Sequence, residues 1–192
     1  MVTHMNSNLP IKPNKKVKSV ETLFRNALRS NLELTTLADS KASILISVNG
    51  FILTVIVTAS GLQVSHPEML YPFIAIIVTA MASIFFATKA IQPRYKEHLI
   101  EEEHLDEYHS ILYFQDMAEL PPSEYLANAK EVISTTEQTQ TNIIQHLHII
   151  GAEIKIKYRW LRHAYSIFAI GLSISMVLVV YALASIATTV GG

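Results

Sequence analysis

The sequence predicts an all-α membrane protein with three transmembrane helices and a cytoplasmic helical bundle between the second and the third. Of its 192 residues, 50% are hydrophobic and 16% are charged, and the mean hydropathy is +0.30. Three apolar runs are long enough to cross a hydrocarbon layer of ~30 Å. No segment shows a convincing strand-like alternation of apolar and polar residues. Low charge and long apolar runs together are typical of integral membrane proteins.

Composition also excludes several classes of function. The chain has no cysteine, which excludes disulfides, thiolate nucleophiles and cysteine-ligated metals. The formal net charge is −1, so no general basic field favours binding to a nucleic acid polymer.

The N-terminal part is predicted to lie outside the membrane. Asparagines and prolines interrupt any periodicity over residues 1–16, which predicts a flexible tail. Val20, Phe24 and Ala27 recur at helical spacing. This pattern predicts a cytosolic amphipathic helix over residues 17–41 that runs into the first span.

The first span, residues 42–64, has a row of small and polar side chains on one face. The row, called here the small-polar row, consists of Ser43, Ser47, Gly50, Thr54 and Thr58. A static packing seam is favoured over a face that lines a water path after assembly, because such rows are common in packed membrane helices. Asn49 is costly to expose to lipid and should find a hydrogen-bond partner. Asp39 and Lys41 lie at the membrane boundary, where a structural role is favoured over ligand binding.

The rest of the chain is divided by prolines. Residues 72–91 form the second predicted span, which ends at Gln92-Pro93. Residues 94–162 form a cytoplasmic helical region, in which a new helix can begin at Pro122 or Ser123. The strongest soluble helix is predicted over residues 142–161, and it continues without a breaker into the third span, residues 164–187. Its apolar row, called here the 142–161 row, consists of Ile143, Leu147, Ile150, Ile154, Tyr158 and Leu161.

Basic residues predict the orientation. They precede the first span, follow the second and precede the third, whereas the short turn after the first span and the C-terminal tail carry none. By the positive-inside rule, the N-terminus and residues 94–162 are cytoplasmic and the C-terminus is outside.

Sites for chemistry are few. Glu101 and His104 form one E-x-x-H, but a bundle di-metal site needs a second such motif, and none is found. A solvated helix face is therefore favoured over a metal site. No catalytic arrangement of residues stands out, so the chain is predicted not to be an enzyme and to need no cofactor. Trp160 and its basic neighbours could stack on a base and hold a phosphate, but an ordinary interfacial belt is favoured.

Three segments carry a resemblance to a known family. The stretch Arg25-x-x-Leu28-x-x-Asn31-x-x-Leu34-x-x-Leu37-Ala38-Asp39-Ser40-Lys41-Ala42-Ser43-Ile44-Leu45-Ile46-Ser47-Val48-Asn49-Gly50 resembles the opening of the Pycsar effector transmembrane family, where an A-D-x-K-A-S-x-L element enters the first membrane helix. Lys157-Tyr158-x-x-Leu161-x-x-Ala164 and Ile111-Leu112-Tyr113-Phe114 are similar to later family segments. The resemblance covers roughly residues 20–187.

The resemblance implies antiphage defence in the bacterial inner membrane. A partner cyclase makes a cyclic pyrimidine mononucleotide, cCMP or cUMP, and the effector senses it and compromises the membrane, which leads to abortive infection. The implied partners are this nucleotide, membrane lipid and further copies of the chain. Residues whose charge or aromatic ring suits a cyclic nucleotide are Arg25, Arg29, Arg94, Lys130, Tyr108 and Tyr113. Asp39, Lys41, Ser43 and Asn49 form the motif at the membrane boundary.

Two alternatives remain open on the sequence. The chain could be a small membrane scaffold that docks a cytosolic partner through the 142–161 row. A metal-dependent membrane hydrolase, based on the His/Glu cluster of residues 98–109, is the least supported.

Overall fold

A computed structural model describes residues 15–62, 67–93 and 110–190, and these residues are almost entirely helical, with no strand among them. The elements in chain order are α1 (Lys15–Leu62), a 3-10 turn (Pro67–Met69), α2 (Leu70–Ile91), α3 (Phe114–Glu119), α4 (Pro122–Val132) and α5 (Thr136–Val190). The predicted tail up to residue 14 and the His/Glu cluster of residues 98–109 lie outside the described residues.

Helices α1, α2 and α5 each contain a stretch long and apolar enough to cross a membrane. The prediction of an all-helical fold is therefore confirmed for the described residues, and three of their helices are apolar enough to span a membrane. Helices α1 and α5 run parallel, because the Tyr158 hydroxyl donates to the Leu34 carbonyl at 3.4 Å and the Tyr165 hydroxyl donates to the Lys41 carbonyl at 3.3 Å. Helix α2 returns between them in the opposite direction.

Small side chains let these three helices approach closely. The buried cluster that joins them consists of Ala38, Ala42 and Leu45 from α1, Ala87 and Ala90 from α2, and Leu161 and Ala164 from α5. Farther along, Gly171 of α5 faces Thr79 of α2, where a Cβ at Gly171 would overlap the threonine side chain. Without a hydrophobic drive between helices in lipid, such close contact is what stabilises their association.

Two prolines lie at helix ends in the structure. Helix α2 ends at Ile91, and α4 begins at Pro122, whose missing N–H is harmless in a first turn. Helix α5 is unbroken over 55 residues, but it begins at Thr136, earlier than its apolar row indicates. Thr135 and Gln138 explain this start, because the Thr135 hydroxyl caps the helix by accepting the Gln138 N–H at 3.2 Å and also donates to Gln138 Oε1 at 2.9 Å.

Candidate functional site

A cavity of about 650 Å³ lies between α3, α4 and the N-terminal part of α5. Its volume is within the range of sites that bind small molecules. Five of its wall residues belong to the same helix that forms the third span, namely Glu137, Gln138, Thr141, Asn142 and Gln145. The cavity and the membrane therefore share one rigid element.

Ser110 fixes the wall that leads into α3. It is 1% exposed, and its hydroxyl donates to Asn142 Oδ1 at 3.0 Å, which fastens the loop to α5. Its N–H donates to Asp116 Oδ2 at 2.9 Å. The Tyr125 hydroxyl of α4 donates to the Ile111 carbonyl at 3.2 Å. Each of these bonds joins a different helix to the same short loop.

The described lining of the cavity is acidic and rich in hydrogen-bond acceptors. Its carboxylates are those of Asp116, Glu119, Glu131 and Glu137, and its amides are those of Asn128, Gln138, Asn142 and Gln145. No lysine or arginine is part of this described lining. Such a surface suits the donor groups of a ligand, while a phosphate there would need a cation from elsewhere.

Tyr113 lies beside this loop and is 3% exposed. Its hydroxyl has no hydrogen-bond partner among the described residues. Burial raises its pKa to about 12, and the nearby carboxylates of Glu153 and Asp116 act in the same direction. Tyr113 is therefore neutral at physiological pH, and it offers a proton donor rather than a charge.

An ion pair between a buried lysine and a partly exposed aspartate joins α1 to α5 at the membrane boundary. Lys157 is 5% exposed, and its Nζ lies 2.9 Å and 3.1 Å from the two carboxylate oxygens of Asp39. Glu153, one turn earlier on α5, lies 3.8 Å from the same Nζ. The sequence indicates only a membrane anchor at Lys157. The only sequence feature that could have indicated this pair is an acidic residue before the first span and a basic residue before the third.

Asn49 has the partner that its cost in lipid predicts. It is fully buried, and its Nδ2 donates to Ser83 Oγ of α2 at 3.1 Å and to the Leu45 carbonyl at 2.8 Å. The Ser83 hydroxyl in turn donates to the Ala164 carbonyl of α5 at 3.2 Å. One short polar network therefore crosses all three membrane helices.

The small-polar row does not pack within the chain. Its serines and threonines are exposed, and a Cβ at Gly50 would meet nothing within 4 Å. Ser47, Thr54 and Thr58 donate their hydroxyls only to carbonyls one turn earlier. The row is thus not a packing seam inside one chain, and both a seam and a water path would require another copy.

Of the residues predicted to bind the nucleotide, those basic residues that the structure describes lie outside the cavity lining. Arg25 donates to Glu21 at 2.7 Å and Arg29 donates to Glu33 at 2.9 Å, both on exposed turns of α1 and neither in the cavity. Lys130 is exposed on α4 outside the cavity lining. Lys41 and Ser43 are exposed at the membrane boundary. Arg94 and Tyr108 lie outside the described residues.

Trp160 and the 142–161 row both make contacts within the chain. The Trp160 ring stacks on Phe86 with ring centroids 5.7 Å apart, which supports a packing role. In the 142–161 row, Ile150 and Leu161 are buried and the other members are half-buried. The chain itself therefore covers part of the row that would dock a partner in the scaffold alternative. Within the described residues, no group of three potential metal ligands occurs.

The chain was compared with protein families, curated proteins and solved structures. The Pycsar effector protein domain matches residues 22–186. Neither a curated protein nor a solved structure matches the chain.

Proposed function

The chain belongs to the Pycsar effector protein family, an antiphage effector family, and from this membership we propose that it senses cCMP or cUMP and then disrupts the bacterial inner membrane. It acts as a binding protein rather than an enzyme. The observation that best supports this proposal is α5, which carries five wall residues of the cavity and, without a break, the third span. Ligand binding at the cavity can therefore move a membrane helix directly.

The cavity would take the base and the ribose of the nucleotide. Its amides and carboxylates match the ring nitrogens, exocyclic groups and 2′-hydroxyl of a pyrimidine nucleotide. The phosphate would be neutralised by a second copy, whose Arg25 and Arg29 are exposed and held only by local ion pairs. Releasing such exposed pairs costs about 0.3–0.5 kcal/mol each, which a phosphate contact readily offsets.

The small-polar row would provide the membrane lesion. No other described helix of the same chain covers this row, and Ser47 and Thr54 are exposed on the surface that would face lipid in a single copy. When copies assemble, facing rows could either pack together or line a water path. In this arrangement the cavity faces the cytoplasm, the N-terminus is cytoplasmic and the C-terminus is outside, as the basic residues indicate.

Dye release from liposomes tests the proposal. The purified full chain, reconstituted with an encapsulated fluorophore, should release it with cCMP or cUMP and not with a cyclic purine nucleotide. Thr141→Trp fills the cavity and should lower the response at least about tenfold. Thr136→Trp, on the same helix but outside the lining, is the matched control.

The outcomes separate the two parts of the proposal. Absence of release with both pyrimidine nucleotides would contradict nucleotide-triggered disruption. A full response of the Thr141→Trp variant would place the ligand outside this cavity.

A further inference from the structure

The two charges of the Asp39–Lys157 pair have very different access to water. The Lys157 side chain is 6% exposed, whereas that of Asp39 is 38% exposed. An isolated ammonium at Lys157 would therefore be costly, while an isolated carboxylate at Asp39 could remain hydrated. Glu153 compensates Lys157 only in part, because its carboxylate is 3.8 Å away.

The pair lies where α1 and α5 enter the membrane side by side. The Tyr158 hydroxyl bonds to the Leu34 carbonyl on one side of it, and the Tyr165 hydroxyl bonds to the Lys41 carbonyl on the other. Ala38, next to Asp39 in the chain, and Ala164 belong to the buried cluster that joins the helices here. A rotation or slide of α5 against α1 would therefore separate Nζ from the carboxylate and bring Lys157 towards water or headgroups.

We propose that Asp39 is a positioning residue, the counter-ion that keeps Lys157 buried between α1 and α5, and that the permeabilising movement takes Lys157 out of this site. The proposal rests on the proposed function and specifies which contact holds α1 against α5 before the permeabilising movement. It follows that neutralising Asp39 and neutralising Lys157 have opposite effects on the stability of the arrangement in which Lys157 is buried. Loss of Asp39 penalises the buried arrangement, whereas loss of the Lys157 charge removes the penalty.

Two neutral variants measure these directions in the liposome assay. Asp39→Asn leaves Lys157 buried without its closest counter-ion, and it should raise release without nucleotide and lower the half-maximal nucleotide concentration, each by about tenfold or more. Lys157→Met keeps the apolar stem in place and should shift both quantities the other way. The double variant should behave like Lys157→Met, because Asp39 acts through Lys157.

Glu124→Gln is the control. It removes the carboxylate of an exposed residue on α4 that lies outside the cavity lining. It should leave release without nucleotide and the half-maximal nucleotide concentration within about twofold of the wild type, since exposed charges contribute little.

Two results of these measurements would overturn the proposal. Shifts of Asp39→Asn and Lys157→Met in the same direction, or a double variant that behaves like Asp39→Asn, would overturn it, because a purely structural pair weakens the fold from either side. If Asp39→Asn does not fold, the other two variants still test the proposal. Lys157→Met should lower release without nucleotide and raise the half-maximal nucleotide concentration, and the double variant should behave like Lys157→Met. A wild type that ignores nucleotide beside a leaking Asp39→Asn and a tight Lys157→Met would support the counter-ion role and contradict nucleotide sensing.

Discussion

Replacing Gly171 by alanine should force α2 and α5 apart inside the membrane. A Cβ at Gly171 would lie 2.7 Å from the Cβ of Thr79 and would overlap its methyl and hydroxyl groups. Thr79 cannot turn away freely, because it is β-branched and its hydroxyl donates to the Ala75 carbonyl at 2.7 Å. Overpacking of this kind costs about 1–3 kcal/mol, and the higher helix propensity of alanine offsets up to ~1 kcal/mol. We expect a net loss of about 1–2 kcal/mol in the free energy of unfolding.

The measurement is unfolding of the purified protein in detergent micelles, by heat or by titration with a denaturing detergent. Gly151→Ala is the matched control, because a Cβ there meets nothing within 4 Å, and it should be neutral or stabilise by up to ~1 kcal/mol. Adding Thr79→Ala to Gly171→Ala removes two of the three overlapping atoms and should restore part of the loss. Equal gains in stability from Gly171→Ala and Gly151→Ala would refute the close approach of the two helices.

Two further predictions concern buried polar groups. Burial lowers the pKa of His146 below its usual 6.5, so the unfolded state binds a proton more readily and stability should fall as pH drops below about 6.5. His146→Leu should flatten this pH dependence of the melting temperature, whereas the same change at exposed His148 should not. Ser83→Ala removes the bonds to Asn49 and to the Ala164 carbonyl and should cost about 0.6–1.7 kcal/mol in the same unfolding assay. Ser173→Ala, at an exposed serine bonded only within its own helix, should leave stability unchanged.

Sequence patterns predict those features that depend on neighbouring residues along the chain. The three spans follow from runs of apolar residues, and the start of α4 follows from Pro122. The need of Asn49 for a partner follows from the cost of an amide in lipid, although its identity as Ser83 does not. The early start of α5 was also encoded, in Thr135 and Gln138, but a polar stretch without an apolar row concealed it.

Features that depend on how helices meet could not be predicted in the same way. Periodicity shows that the small-polar row shares one face, but only packing shows that this face points away from the chain's own core. Lys157 and Asp39 are far apart in sequence, so their pairing requires the parallel arrangement of α1 and α5. Charge alone favours Arg25 and Arg29 as phosphate ligands, but their own helix supplies each with a carboxylate one turn away.

The length of α5 has a geometric consequence. At ~1.5 Å per residue, Asn142 at the cavity and Ala164 near the membrane surface are about 33 Å apart along the axis. If the helix stays straight and pivots near Ala164, a sideways displacement of about 6 Å at Asn142 tilts it by about 10° and moves Thr188, at the opposite membrane face, by a similar distance the other way. Closure around a ligand the size of a nucleotide would then change the angle at which this helix crosses the bilayer, and its neighbours would have to repack.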